Sequence, residues 1–331
     1  MKVYLDAFGG DKAPLENIKG AILATQKYPS VTVVLFGDEN IIRTHLMEQK
    51  YTGNKIEIID AKEIISNNES PVDAIKTKKN SSIVKAYDMM REDDECVGFV
   101  SAGSTGAVLT GAFLKVGRIK NIKRPALAPL FPTFNGKQVL IIDCGANMDC
   151  DEHNLVQFAQ MGDAFMKSMY NMENPRIALL SVGDEDKKGN DLTKKAFALL
   201  KELNINFVGN MEARYALSGD YDVIVTDGFA GNVLIKSIEG TASSLMKLLK
   251  SSLTKNLKSK IGALLLKSSL MEMKQILDYH KYGGAPLLGT KKIVIKSHGS
   301  SNAESICISI KQVIDFHEKE LLKNIQNSIG D

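Results

Sequence analysis

The string Asp227-Gly-Phe-Ala-Gly-Asn232 follows directly on the apolar run Asp222-Val-Ile-Val-Thr226. A β-branched run that ends in a Gly-rich turn and then becomes helical is a strand–loop–helix unit. Its backbone N–H groups and helix N-terminus suit an anion. The arrangement recurs. Residues 3–6 run into Phe8-Gly-Gly-Asp11, and 97–100 into Ser101-Ala-Gly-Ser-Thr-Gly106. Residues 139–142 run into Asp143-Cys-Gly-Ala-Asn147, and 177–180 into Ser181-Val-Gly-Asp-Glu185. Any one of these is ordinary tight-turn chemistry. Five together, at the strand C-termini where open α/β sheets bind ligands, describe a polar, backbone-rich site for phosphate.

Few other side chains carry chemistry. Lys188, in Lys187-Lys188-Gly189-Asn190, precedes a helix; it is either a solvated charge or an ammonium that pairs with phosphate or a developing oxyanion. His298, in Ser297-His298-Gly299-Ser300-Ser301, lies between an apolar strand and the last helix, which Ser300 or Ser301 is placed to cap. It is either structural or a donor into a site. Cys144 fits a packing thiol better than an acylated nucleophile, because no histidine is near it in sequence. Tyr282-Gly283-Gly284-Ala285-Pro286-Leu287-Leu288-Gly289 is either a helix-to-strand connection or a turn close to a ligand, with a wall for an acyl chain. There is no GxxxxGK[ST], no GxGxxG between strand and helix, and no metal-ligand spacing, so neither cofactor nor metal is expected.

These residues need a scaffold. The chain has 331 residues, 44% hydrophobic and 24% charged, enough for a large core. It is read as a single α/β unit over 1–331 or as two interleaved subdomains. A net charge of +3 gives no nucleic-acid footprint. Cys96, Cys144, Cys150 and Cys307 form no CxxC pair and read as reduced thiols of a cytoplasmic protein. No signal peptide is visible, and no apolar run approaches the ~20 residues of a transmembrane helix. Strands are predicted at 2–6, 31–36, 55–59, 97–100, 138–142, 176–181, 204–208 and 222–226, with another over 292–295. Helices are predicted at 14–27, 39–49, 70–91 with a break near Asn80, 104–116, 152–170, 188–202 and 301–325. The alternation predicts a doubly wound, mostly parallel sheet flanked by helices.

One segment differs. Between Leu245 and Lys274 there are seven lysines, and Glu272 is the only acid. Leu245, Leu249, Leu253, Leu257, Ile261 and Leu265 form an i, i+4 row, so the segment reads as a basic amphipathic helix divided at Gly262. Over 245–277 a protruding helical pair is expected. Its stripe packs on the core or a partner subunit, or it lies on an anionic membrane.

Seven strings, in order, resemble the PlsX family of bacterial phosphate acyltransferases. They are Asp6-Ala-Phe-Gly-Gly-Asp-Lys-Ala-Pro14, Ser101-Ala-Gly-Ser-Thr-Gly-Ala107, Arg124-Pro-Ala-Leu-Ala128, Asp143-Cys-Gly-Ala-Asn147, Lys188-Gly-Asn190, Asp227-Gly-Phe-Ala-Gly-Asn232 and Tyr282-Gly-Gly-Ala-Pro-Leu-Leu-Gly289. Phe8 stands where the family usually has Met, Ser104 where it has Asn, and Ser181-Val182-Gly183 replaces Ser-Asn-Gly. Contacts through those two amides therefore do not carry over. The resemblance implies conversion of acyl-acyl carrier protein and inorganic phosphate to acyl phosphate for phospholipid synthesis. It also implies a fold similar to phosphotransacetylases and the isopropylmalate dehydrogenase group, and a homodimer. It further implies a cytoplasmic protein held peripherally at the inner face of the cell membrane. There Leu253, Leu257 and Ile261 touch anionic lipid, and a membrane-bound downstream acyltransferase takes the product.

That reaction sets its own demands. A thioester is activated and phosphate is already nucleophilic at neutral pH, so direct attack needs neither a strong base nor a covalent intermediate. It needs phosphate held against the carbonyl, its water stripped, and the tetrahedral oxyanion stabilised. Ser101, Ser104, Thr105, Asn147, Asn190 and Asn232 are candidate polar ligands. Gly9, Gly10, Gly228, Gly283 and Gly284, with Asp227, shape the loops around substrate. Lys188, Asn232 and His298 are the candidate catalytic groups. Asp6, Asp11, Asp143 and Asp227 orient donors or cap turns, since like charges repel phosphate. Three other readings stand beside this one: a coenzyme-A-dependent phosphate acyltransferase, a nicotinamide-dependent decarboxylating dehydrogenase, and a non-catalytic membrane scaffold.

Overall fold

The structure is a computed structural model and describes residues 1–276 and 282–330, with side chains described only to 271 in the first stretch. The first part of the chain forms β1 (Lys2–Asp6), α1 (Leu15–Lys27), β2 (Thr32–Gly37), α2 (Glu39–Glu48), β3 (Ile56–Asp60), α3 (Pro71–Thr77), α4 (Ser82–Glu92), β4 (Cys96–Ser101) and α5 (Thr105–Gly111). The middle forms β5 (Ala126–Leu127), β6 (Leu130–Pro132), β7 (Gln138–Ile142), α6 (Glu152–Tyr170), β8 (Ile177–Ser181), α7 (Asp191–Lys201), β9 (Phe207–Glu212) and β10 (Val223–Val225). The last part forms α8 (Gly228–Thr254), α9 (Leu257–Leu265), α10 (Lys267–Ile276), β11 (Ala285–Leu288), β12 (Ile293–Lys296), α11 (Ala303–Glu318) and α12 (Leu321–Ile329).

The chain divides into two compact units. The first comprises Met1–Pro129, Gln160–Asn174 and His280–Asp331; the second comprises Leu130–Ala159 and Pro175–Tyr279. The first unit holds a seven-stranded sheet, β3-β2-β1-β4-β12-β11-β5. Its first five strands are parallel, and β11 runs antiparallel to both β12 and β5. Val3 to Leu5 and Val33 to Phe36 are buried throughout, as strands covered on both faces must be. The second unit holds a five-stranded sheet, β6-β7-β10-β8-β9, parallel except for β6. Its core is built on Val139, Ile141, Ala178, Met211 and Ile224, with Leu234 and Ile235 of α8 laid over them. The mostly parallel architecture matches the sequence expectation, distributed over two sheets instead of one.

Several boundaries differ for local reasons. The break expected near Asn80 within 70–91 is present, giving two helices, and Ser81 caps the second through the Val84 N–H. The helix expected over 301–325 breaks at Glu320, which takes a left-handed conformation. The strand expected at 204–208 begins only at Phe207, because the N–H groups of Glu202 and Leu203 still close turns at the end of α7.

The lysine-rich segment is interrupted at Lys255 and Asn256 and again at Leu266, not at Gly262. Asn256 starts α9 by accepting the Ser259 N–H at 2.9 Å, and Gly262 lies inside that helix. The single i, i+4 row therefore splits. Leu249 and Leu253 line a groove with Ala263 and Leu270, whereas Leu257 and Ile261 are exposed. Leu277, the last residue of the expected segment, lies outside the described residues.

Candidate functional site

In the first unit, β1, β4 and β12 are neighbours, and the loops after their C-terminal ends form one polar cluster. Asp6, buried at the end of β1, accepts Ser101 Oγ at 2.7 Å and the Phe8 N–H at 3.1 Å. Ser101 Oγ accepts the Gly103 N–H at 3.0 Å, so this hydroxyl is spent inside the loop. Burial raises the Asp6 carboxyl above its ordinary range, against hydrogen bonds from Ser82, Ser101 and the loop backbone. Asn17 of α1 donates to the carbonyls of Asp6, Ala7 and Gly9, the last at 2.8 Å. The Asp11 N–H donates to Gly299 O at 2.8 Å, and the Ser297 N–H to Ser101 O at 2.9 Å. Gly9 is required here, because a Cβ would lie 2.5 Å from the Gly103 nitrogen.

Gly10, Ser104 and Thr105 belong to the same loop set: Gly10 lies against Ala102 and Gly299, Ser104 is buried ahead of α5, and Thr105, its first residue, is exposed. His298 Nδ1 lies 2.8 Å from Ser300 Oγ and accepts the Ser300 N–H at 3.2 Å. An Nδ1 that accepts a backbone N–H leaves the neutral ring's proton on Nε2, so this imidazole is a donor through Nε2.

Gly283 and Gly284 precede β11, whose first residue pairs with Lys296 at the end of β12. Gly284 N–H donates to Gln312 Oε1 at 2.9 Å, and the pair packs against Gln312, Ile295 and Lys296. Leu287 and Leu288, where an acyl wall was expected, are buried in β11 opposite Leu127 and Ala126.

In the second unit, β7, β10 and β8 are neighbours and carry three of the Gly-rich turns. Asp143 is fully buried and accepts three donors of its own loop: Ala146 N–H at 3.2 Å, Asn147 N–H at 2.7 Å and Asn147 Nδ2 at 3.0 Å. Asp227 caps α8 by accepting the Ala230 N–H at 2.8 Å. The Asn232 side chain stands beside Gly145. Asn190 caps α7, accepting the Thr193 N–H at 2.9 Å, which spends its carboxamide oxygen and leaves the NH2 as its donor end. Lys188 lies in the loop ahead of α7, half exposed and only loosely paired with Glu185 at 3.9 Å.

A cavity of about 470 Å³ opens between this loop and the start of α8, with Ser181, Asn190, Thr193 and Asp227 in its polar part. Ser181 Oγ is buried without a hydrogen-bond partner among the described residues. Cys144 is 2% exposed in the core behind the Asp143 loop, and burial, with the Asp143 and Glu239 charges, pushes its thiol well above the ordinary range. A thiol held neutral is a poor nucleophile.

Each unit thus gathers its own predicted residues. Asn147, Asp227, Gly228 and Asn232 form a tight group, and Asn190 shares a cavity with Asp227. Asn17 and Thr193 went unnoticed in the sequence. Thr193 carried a faint signal, three residues after a helix-capping Asn; Asn17, inside a helical pattern, carried none. Among the described residues no group of three His, Cys, Asp or Glu side chains is placed to hold a metal ion. Among them, too, no helix is long and apolar enough to cross a membrane.

Comparison with known proteins bears on this geometry. The family described as fatty acid synthesis protein matches residues 1–324. A phosphate acyltransferase of Clostridium novyi is 46% identical over 329 residues, covering 99% of this chain and 98% of that one. One from Clostridium beijerinckii is 47% identical over 332 residues, covering 100% and 99%. Among solved structures, a phosphotransacetylase from Streptococcus pyogenes matches with a TM-score of 0.58 at 17% identity, covering 95% of this chain and 94% of that one. A branched-chain phosphotransacylase from Enterococcus faecalis V583 matches with a TM-score of 0.59 at 17% identity, covering 95% and 98%. The two structural matches establish a shared fold.

Proposed function

The chain belongs to the fatty acid synthesis protein family, and from that premise we propose that it is a phosphate acyltransferase with acyl-acyl carrier protein as donor and inorganic phosphate as acceptor. The carrying observation is the Asp143 loop. One buried carboxylate takes two backbone N–H groups and the Asn147 side-chain N–H of its own turn and so fixes the loop between β7 and α6 in advance of any ligand. Those donors are spent on the carboxylate; what they supply is a fixed frame, in which the remaining dipoles of the loop meet an oxyanion without reorganising during the reaction. The names of the relatives, phosphate acyltransferase in both cases, supply the reaction class.

In the proposed step a phosphate oxygen attacks the thioester carbonyl. The carbon–oxygen bond forms, the carbon–sulfur bond breaks, and the proton of hydrogen phosphate ends on the leaving sulfur. Cys144, buried and neutral, takes no part. The proposed contacts for phosphate, oxyanion or thiolate are Lys188 and Asn232 if the second unit's cradle is used, or His298 Nε2 if the first unit's is. Each unit offers its own anion cradle, and phosphate kinetics of Lys188→Ala and His298→Ala identify the one that holds phosphate. The protein is further proposed to act as a cytoplasmic homodimer at an anionic membrane surface, where a membrane-bound acyltransferase consumes the product.

The test is incubation of the purified protein with acyl-acyl carrier protein, with and without phosphate. Free carrier thiol and an acyl phosphate trapped as its hydroxamate are expected only with phosphate. Thiol release that ignores phosphate indicates a thioesterase and ends this reading. Equal turnover of acyl-coenzyme A moves the donor assignment to the coenzyme.

A further inference from the structure

We propose that the second unit's 470 Å³ cavity is the subsite for the acyl chain of the donor; this rests on the acyltransferase reading above. Its volume is that of a small-molecule site, ~300–1,000 Å³. Its chemistry is graded. Asn190, Asp227 and the unpartnered Ser181 hydroxyl stand at one part, beside the residues proposed to handle phosphate and thioester. The remaining wall is aliphatic and aromatic: Leu180, Val182, Phe229, Val233 and Leu234.

Phe229, Val233 and Ser237 recur every fourth residue on one face of α8, so the cavity follows the helix for about 12 Å from its capped end. That length exceeds any two- to four-carbon acyl group. Val182 is 78% exposed and Phe229 64% exposed, an unusual outlay of apolar surface at the rim of a cleft unless a ligand covers it. The other part of the donor, the carrier's pantetheine arm, has two amides that each need partners when buried. Beyond the groups at the polar part this wall offers only the hydroxyls of Ser237 and of Thr226, the latter already donated to Asp227 O, so an amide-bearing arm would be left poorly satisfied where an alkyl chain would not.

The experiment has a binding arm and a kinetic arm. The chain contains no tryptophan, so Phe229→Trp installs a single reporter in the cavity wall. Its emission is expected to shift to shorter wavelength and saturate on titration with hexadecanoate, and to stay unchanged with pantetheine. In the kinetic arm, Val233→Phe fills the cavity. The ratio of kcat/KM for hexadecanoyl over butanoyl carrier protein is expected to fall at least ~10-fold, the scale set by steric exclusion from an apolar pocket. A shift with pantetheine in place of hexadecanoate, or an unchanged chain-length ratio in folded Val233→Phe, overturns the subsite. If the parent shows no phosphate-dependent turnover while hexadecanoate still shifts the reporter, the reaction assignment fails and the subsite stands. If Val233→Phe does not fold, the titration of Phe229→Trp decides alone.

Discussion

The carbonyl oxygen of Asn147 accepts the Gly228 N–H at 2.8 Å, and a Cβ on residue 228 would lie 2.5 Å from that same oxygen and 2.8 Å from Asp143 Oδ2. The turn after β7 and the first residue of α8 are therefore in contact through backbone alone, and only glycine permits it. Gly228→Ala is expected to cost about 1–3 kcal/mol, the usual penalty of overpacking, and to abolish phosphate-dependent turnover even where the protein stays folded. Gly240→Ala is the control, since nothing lies within 4 Å of a Cβ there. In the middle of α8 it should stabilise by roughly 0.4–1 kcal/mol. Urea unfolding and thiol-release assays on both variants check the contrast; equal behaviour of the two would show that the contact is unimportant.

Cys144 tests the direct route. Its Sγ donates to Ile141 O at 3.4 Å, and its neighbours are the core of the second unit. Cys144→Ala should keep most of its turnover and lose a little thermal stability. Mass spectrometry of a quenched parent reaction should find no acyl adduct on the peptide carrying Cys144; an adduct there would refute direct transfer.

Lys188 is a loop cation whose removal leaves little behind to unfold. Lys188→Ala is expected to lower kcat/KM for phosphate by ~10²–10³, as loss of one oxyanion or phosphate contact does elsewhere. The melting temperature should stay unchanged, and Lys188→Arg should recover part of the loss. Steady-state kinetics with phosphate as the varied substrate provides the measurement. Parental values in Lys188→Ala would remove this ammonium from the site.

Much of this organisation was legible in the chain, for physical reasons that differ by element. Strands such as β2 and β7 announce themselves because they are covered on both faces and so read as unbroken apolar runs. The Gly-rich turns announce themselves because backbone must approach backbone, as at Gly9 and Gly228. The cavity wall did not. Phe229 and Val233 look like ordinary helix residues until α8 is placed beside the loop after β8. Asn17 was invisible for a similar reason: it satisfies three loop carbonyls from a helix eight or more residues away. The apolar residues after Gly284 misled, since an apolar run is equally a central strand, and β11 is one.

Asp222 and Arg176 give a pH signature unconnected with the site. Arg176 donates to both carboxylate oxygens of Asp222, at 2.9 and 3.0 Å, and its backbone N–H adds a bond at 2.8 Å. Burial alone would raise the Asp222 carboxyl, but these bonds and the guanidinium charge outweigh it and hold the group below the ordinary carboxylate range. A depressed folded value contributes stability that is fully present above the unfolded pKa of ~3.9 and is lost as pH falls through the folded one. Arg176→Met is expected to cost about 2 kcal/mol at neutral pH, a figure for charged hydrogen bonds whose cation is partly exposed. The gap between parent and variant should close below pH 4. Urea unfolding at pH 7, 5 and 3.5 measures it, and a gap independent of pH would contradict the assignment.

The lysine-rich helices give the last expectation. On α9, Leu257 is 74% exposed and Ile261 54% exposed, with Lys258 and Lys260 between them, so one short helix presents both apolar side chains and positive charge. Those are the two contributions that hold a helix at an anionic bilayer surface, and the charge contribution is screened by salt. The protein should therefore float with anionic vesicles, float less as salt rises, and ignore zwitterionic ones. Leu257→Ser combined with Ile261→Ser should release it while leaving turnover in solution intact. Leu253→Ser should behave differently. Leu253 lies in the groove with Leu249, Ala263 and Leu270, so its loss should lower thermal stability and leave the exposed face of α9 available to lipid. If Leu253→Ser releases the protein and the double variant does not, the groove is what lipid touches. If the parent itself ignores anionic vesicles, the exposed leucines serve another surface and the membrane assignment falls.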